Sequence, residues 1–203
     1  MCIRDSHWDV QLSMEGNVAT GDDWRSAVCG DHEMRRGRHY ATFTLRTLTD
    51  AMLGVVGAGF DPTGGGQAYM SSQGWMINTF TGSLYRGGRS STWEGQPRRA
   101  MRIKQGDVVV RPPPTSPFGH RRGLTPLCVV QGMLLDCDAA TLTVWVNGER
   151  KGVAVRPGMT REGSSLNEDG ELVPRLEGPL RWAVDLHGEK SSVAIDTPLP
   201  PPA

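Results

Sequence analysis

The sequence predicts an all-β protein built as a sandwich of two antiparallel sheets. Three observations carry that prediction. Gly132 to Gly152 reads GMLLDCDAATLTVWVNGERKG: a strand, an acidic turn, an alternating strand and an Asn-Gly turn. Glycine (26) and proline (14) make up about a fifth of the 203 residues, too many for long helices and typical of short strands joined by turns. No long segment carries a convincing 3.6-residue apolar period. Short strands in such number, with frequent turns, point to two packed sheets.

The first predicted strands are Gln11–Leu12, Asn17–Thr20 and Ser26–Cys29, followed by Arg38–Arg46 and Met52–Gly57. Met52 to Phe60 is the longest apolar run, and its three glycines make it a buried strand leading into a loop. Trp75–Asn78, Ser83–Arg86, Ala100–Ile103 and Val108–Val109 come next. Met133–Leu135 then opens the meander through the acidic turn 136–140. In Thr141–Val146, Leu142, Val144 and Val146 point one way and Thr143 and Trp145 the other, so one face is buried and the other wetted. Asn147-Gly148 tolerates positive φ at both central positions, which closes a type I′ hairpin and sends Glu149 to Val155 back antiparallel. Trp182–Leu186 and Ser192–Ile195 complete the set.

Four blocks of this series, in order, resemble the SPRY (B30.2-type) domain family. They are GRHYATFTL from Gly37, GWMINTFTGSLYRGG from Gly74, the meander block with Gly106-Asp107 ahead of it, and GPLRWAVDLHGEKSSVAID from Gly178. Together they cover most of residues 8–196. The resemblance implies a two-sheet antiparallel sandwich of concanavalin-like, jelly-roll character. Ala41 departs from the pattern, since many members carry a large aromatic there.

The resemblance also implies a non-catalytic protein–protein interaction module. Such domains hold a short peptide or partner surface on variable loops at one edge of the sandwich. The candidate partner-binding residues are the aromatics and arginines of predicted loops: Phe60, Tyr69, Tyr85, Arg86, Arg89 and Trp93. For each the competing reading is packing, strongest for Tyr85, which lies on a strand. Trp75, Trp145 and Trp182 are assigned to the core or to strand faces.

Residues 8–196 are thus expected to form one domain. Residues 1–7 read as an adapter-derived or disordered N-terminus, because MCIRDS matches a translated sequencing adapter. Residues 197–203 form a proline-rich tail, and the whole chain reads as a fragment of a larger protein. Val109 to Gln131 interrupts the SPRY-like pattern with a proline-rich, aperiodic stretch. Two readings stand, a retained intron or a true inserted loop, for which closure entropy grows slowly with length. A third reading uses Arg111, Pro114 and Pro117, which match an RxxPxxP ligand of SH3 domains in polyproline II form.

Net charge is zero, with 22 basic and 22 acidic residues, so no global field recruits nucleic acid or an anionic membrane. The run Arg98, Arg99, Arg102 and Lys104 is read as a solvated strand edge rather than a phosphate patch. No stretch approaches the ~18 apolar residues needed to span a bilayer. The N-terminus shows no signal-peptide core. Cys2, Cys29, Cys128 and Cys137 form neither a disulfide framework nor a CxxC pair. The expectation is a monomeric domain in a reducing intracellular compartment, cytoplasmic or nuclear, with a protein or peptide partner and no cofactor.

Enzyme motifs fail one by one. Gly57-Ala58-Gly59 is followed by Pro62 where a dinucleotide-binding turn needs its third glycine, and Gly64-Gly65-Gly66 lacks the Lys-Ser/Thr of a phosphate loop. The five histidines (7, 32, 39, 120, 187) include no HExxH pair, and His39 is read as structural. Asp136 and Asp138 are read as turn-bonding aspartates rather than a catalytic pair or calcium ligands. The alternative function is a carbohydrate-binding, concanavalin-like lectin. Neither a lectin's metal-ligand cluster nor a glucanase's closely spaced carboxylates is present in the sequence.

Overall fold

The computed structural model describes residues 5–7, 9–13, 15–21, 23–30, 32–46, 50–96, 129–162, 170–188 and 190–196. In chain order the strands begin with β1 (Asp5–Ser6), β2 (Gln11–Leu12), β3 (Val18–Gly21), β4 (Arg25–Val28), β5 (Arg38–Leu45) and β6 (Ala51–Gly57). They continue with β7 (Gly74–Asn78), β8 (Leu84–Arg86), β9 (Arg89–Ser91) and β10 (Val129–Asp136). Last come β11 (Thr141–Val146), β12 (Glu149–Val155), β13 (Leu180–Leu186) and β14 (Ser191–Asp196). One sheet runs β1-β4-β13-β6-β7-β8-β9 and the other β12-β11-β10-β5-β14-β3-β2. Every pairing is antiparallel, so the predicted two-sheet sandwich is the fold. Among the described residues no helix is long and apolar enough to cross a membrane.

Period-2 alternation explains which side chains fill the middle. Ala41, Phe43 and Leu45 of β5, Met133 and Leu135 of β10, and Leu53 and Val55 of β6 all enter one core. Phe43 meets Trp182 of β13 edge to face at 5.8 Å, joining the two sheets. A fully buried side chain of this size contributes about 1.5–3 kcal/mol relative to exposure. Trp75 and Trp182 are buried in this core, as assigned from sequence. Ala41 is also fully buried, paired with Met133, so a small residue suits that corner of the core.

The meander behaves as read, with one correction. Asn147 (φ 50°) and Gly148 (φ 82°) both take positive φ, and β11 returns as β12. Asp136 accepts from Ala139 N (2.9 Å) and Arg38 Nε (2.8 Å), and Asp138 accepts from Gly37 N (3.2 Å), so both aspartates bond nearby chain. The far face of β11 is not wetted, however: Thr143 is only 7% exposed and Trp145 9%. Tyr40 covers it, its ring edge-on to Trp145 at 6.0 Å. Gly132 makes this cover possible, because a Cβ there would collide with the Tyr40 ring.

Three segments differ from the sequence reading in extent. Asp5 and Ser6, in the expected adapter-derived stretch, form β1 and pair with Val28 and Ala27. Arg89–Ser91, not predicted as a strand, becomes β9 by pairing with β8. Strand β10 starts at Val129, four residues before its expected start, so the last three residues of the 109–131 interruption belong to the sheet. The predicted strands at 100–103 and 108–109, the basic run, the RxxPxxP residues and the tail lie outside the described residues.

Candidate functional site

The loop between β6 and β7 lies across the outer face of the first sheet. Beneath it Val28, Met52, Val56, Met76 and Ala183 form a second apolar cluster with Phe60 and Ala68 of the loop itself. Gly74 lets the loop descend, since the carbonyl oxygen of Ala68 occupies the place a Cβ would take. Asp185 fixes it from below. Its Oδ1 accepts from Ser26 Oγ (2.5 Å) and Ala68 N (3.0 Å), and its Oδ2 accepts from Tyr69 N (2.9 Å). Burial pushes the Asp185 carboxyl up to about 6, against the opposing pull of those three hydrogen bonds.

With the backbone of Ala68–Met70 held this way, an aromatic patch forms at the surface. Tyr69 meets Tyr85 of β8 edge to face at 5.8 Å and lies 5.9 Å from Trp24, ring centre to ring centre. Trp24 stacks on the His187 ring at 3.7 Å. The His187 ring is buried, which lowers its pKa, and its Nδ1 lies 4.0 Å from Asp50 Oδ2. Trp24 is 42% exposed and Met70 55%, so two of the most exposed large apolar side chains border the same patch. Burial, and then the Asp185 charge, raises the Tyr69 phenol.

The six residues proposed from sequence separate into three groups. Tyr69 and Tyr85 come together in this patch. Arg86 instead turns inward, its guanidinium 4.3 Å over the Trp75 ring, where burial lowers its pKa. Arg89 pairs with Glu171 (3.3 Å), which also faces Arg161 at 3.3 Å. The β8–β9 hairpin carrying Arg86 and Arg89 docks on the loop through Gly88 N, which donates to Tyr69 O (2.8 Å). Phe60 and Trp93 are buried. Phe60 packs under the loop, while Trp93 donates to Gly82 O (2.7 Å) and floors a cleft of about 540 Å³ with Val153 and Met159. Trp24 and His187 were missed, since the two positions are 163 apart in the chain and their only link is tertiary.

No family model matches the chain, and no curated protein sequence is similar to it. Solved structures are. The SPRY domain of human HERC1 matches at 13% identity and a TM-score of 0.58, over 94% of each chain. Stonustoxin matches at 13% identity and TM-score 0.56, over 96% of this chain and 26% of its own. The TRIM65 PSpry domain matches at 10% identity and TM-score 0.55, over 96% of this chain and 89% of its own. At these identities the likeness is one of fold, and the fold is of SPRY type.

Proposed function

We propose that the chain is a non-catalytic interaction module that binds a short peptide or partner protein surface. The observation that carries this reading is the patch of Trp24, Tyr69, Met70 and Tyr85. Large apolar groups left in water at one place are costly unless a partner covers them, and aromatic anchors dominate protein interfaces. The Asp185 hydrogen bonds hold the patch in shape before binding, which lowers the ordering cost of association. Arg89 and Glu171 supply a polar lip beside it, the usual surround of an apolar hot spot, with the buried Arg161 guanidinium behind Glu171.

Selection from a displayed random-peptide library tests this reading. Peptides enriched on the folded chain are expected to lose about tenfold or more in affinity for Trp24→Ser and Met70→Ser. Met70→Ser should melt close to the parent, because that side chain is more than half exposed, whereas Trp24→Ser also uncovers the His187 ring and its melting is measured to show that the variant is folded. Enriched peptides that ignore both substitutions would overturn the site. Failure to enrich any peptide, together with retention on an immobilised sugar, would replace the reading by a carbohydrate-binding one.

A further inference from the structure

Where the connection from β4 enters β5, the two histidines His32 and His39 bring ring nitrogens together. His32 Nε2 lies 3.3 Å from His39 Nδ1, with the rings edge to face at 5.3 Å between centres. The other nitrogen of His39, Nε2, donates to the carbonyl oxygen of Arg36 at 2.8 Å. That bond places the His39 proton on Nε2 and leaves Nδ1 with a lone pair facing His32. Donation of the second ring N–H to a backbone carbonyl is also the arrangement that orients histidines which ligate metals.

The separation suits one ion once His32 Nε2 gives up its proton and the two rings turn so that both lone pairs converge on it. Two imidazole nitrogens each about 2.0–2.1 Å from a tetrahedral cation lie about 3.3 Å apart. The backbone that carries them is pinned on both sides. Cys29 N donates to Trp182 O (2.9 Å), and Met34 pairs with Leu180 in both directions (2.7 and 3.0 Å), so His32 sits between two anchors. His39 is held in β5 opposite Leu135. Burial and the neighbouring His39 lower the His32 pKa below the ordinary imidazole value. Of the nearby guanidiniums, Arg35 pairs with Glu33 (2.6 Å) and Arg38 with Asp136 (2.8 Å), which offsets their repulsion of a cation.

We propose that His32 and His39 form a two-nitrogen site for a borderline divalent cation, copper(II), nickel(II) or zinc, with its other coordination positions filled by water. Among the described residues no group of three or more His, Cys, Asp or Glu side chains gathers as ligands. The site is therefore a chelating pair, weaker than a closed four-ligand structural centre. Two imidazoles favour copper over nickel and zinc, and they offer nothing to calcium or magnesium, which take oxygen ligands. The inference is independent of the peptide-binding reading.

The test is calorimetric titration of the metal-stripped full chain with copper(II), nickel(II), zinc and calcium chlorides, repeated on His32→Gln and His39→Gln. One equivalent of copper, nickel and zinc is expected to bind, with no heat from calcium. Each substitution should weaken binding by about tenfold or more. Metal-free melting of the variants shows that they remain folded, and His32→Gln, in a loop, keeps the test open if the β5 variant does not. The electron spin resonance spectrum of the copper form should carry hyperfine structure from two nitrogens and lose one in His32→Gln. Absence of binding, binding that falls less than tenfold in a folded variant, or a copper spectrum unchanged by the substitution would each overturn the proposal.

Discussion

Asp185 places a carboxylate where its charge is costly and its hydrogen bonds are useful. Its pKa rises from about 3.8 to about 6 on folding, so between those values the native state binds more protons than the unfolded chain. The stability linked to this group is fully present below pH ~4 and is lost as pH rises through ~6. Two pKa units correspond to about 3 kcal/mol at full effect. Urea unfolding from pH 4 to 7 should show the parent losing stability relative to Asp185→Asn by an amount of that order. Parallel curves would mean that the carboxyl is not shifted. Gln131 is a second buried polar residue, fully buried in line with Met133 and Leu135, and neither amide atom has a hydrogen-bond partner among the described residues. Gln131→Met keeps the volume and removes the unmet polar atoms, so it should raise stability by about 1–3 kcal/mol in urea unfolding. A destabilised variant would show that the amide is bonded after all.

Elements carry the next two predictions. Gly148 sits at φ 82° in the turn that sets the register of β11 against β12. Gly148→Val should cost about 1–3 kcal/mol, because a β-branched residue resists that conformation. Melting like the parent would show that the turn tolerates it. For β10 the prediction concerns the 109–131 stretch. Its excision would bring Val108 to the position of Gln131, and Asp107 and Gly106 to those of Val130 and Val129. A valine would then fill the inward site that now holds the Gln131 amide, and closure would span a shorter chain. The excised chain should melt at or above the parent temperature, and a large loss would show that the stretch supplies core contacts. These elements also show what the sequence could and could not disclose. Thr141–Val146 and Asn147-Gly148 were legible because alternation and turn chemistry are local signals. Arg89–Ser91 was not, being short and polar, a strand only by its pairing with β8. The cover over Trp145 was hidden for the same reason, since Tyr40 reaches it from another strand. Of the site, the sequence disclosed residue types suited to binding. It could not separate the surface pair Tyr69 and Tyr85 from Phe60 and Trp93, whose burial depends on a loop path and a glycine hydrogen bond.

At the scale of the molecule, the two C-terminal strands hold both sheets together. β13 lies between β4 and β6 in one sheet, and β14 between β5 and β3 in the other. Their partners come from far back in the sequence: Ala183 faces Val28, and Ala194 faces Val18. Trp182, fully buried, reaches Phe43 across the core, and Asp185 anchors the loop that shapes the aromatic patch. Neither sheet can therefore close until the end of the domain is available, and distant pairings of this kind make folding slow, on the order of milliseconds to seconds. A chain ending at Gly178 should lose more than two edge strands. It would split one sheet between β4 and β6, each left with a single partner, and detach β3 from β5 in the other, with the Phe43 ring opened to water. The expected outcome is no cooperative thermal transition, strong binding of a hydrophobic dye, and no binding of any peptide that the full chain selects. A sharp melting transition in that truncated chain would show that residues 5–178 fold alone, and the central role given to β13 and β14 would fall.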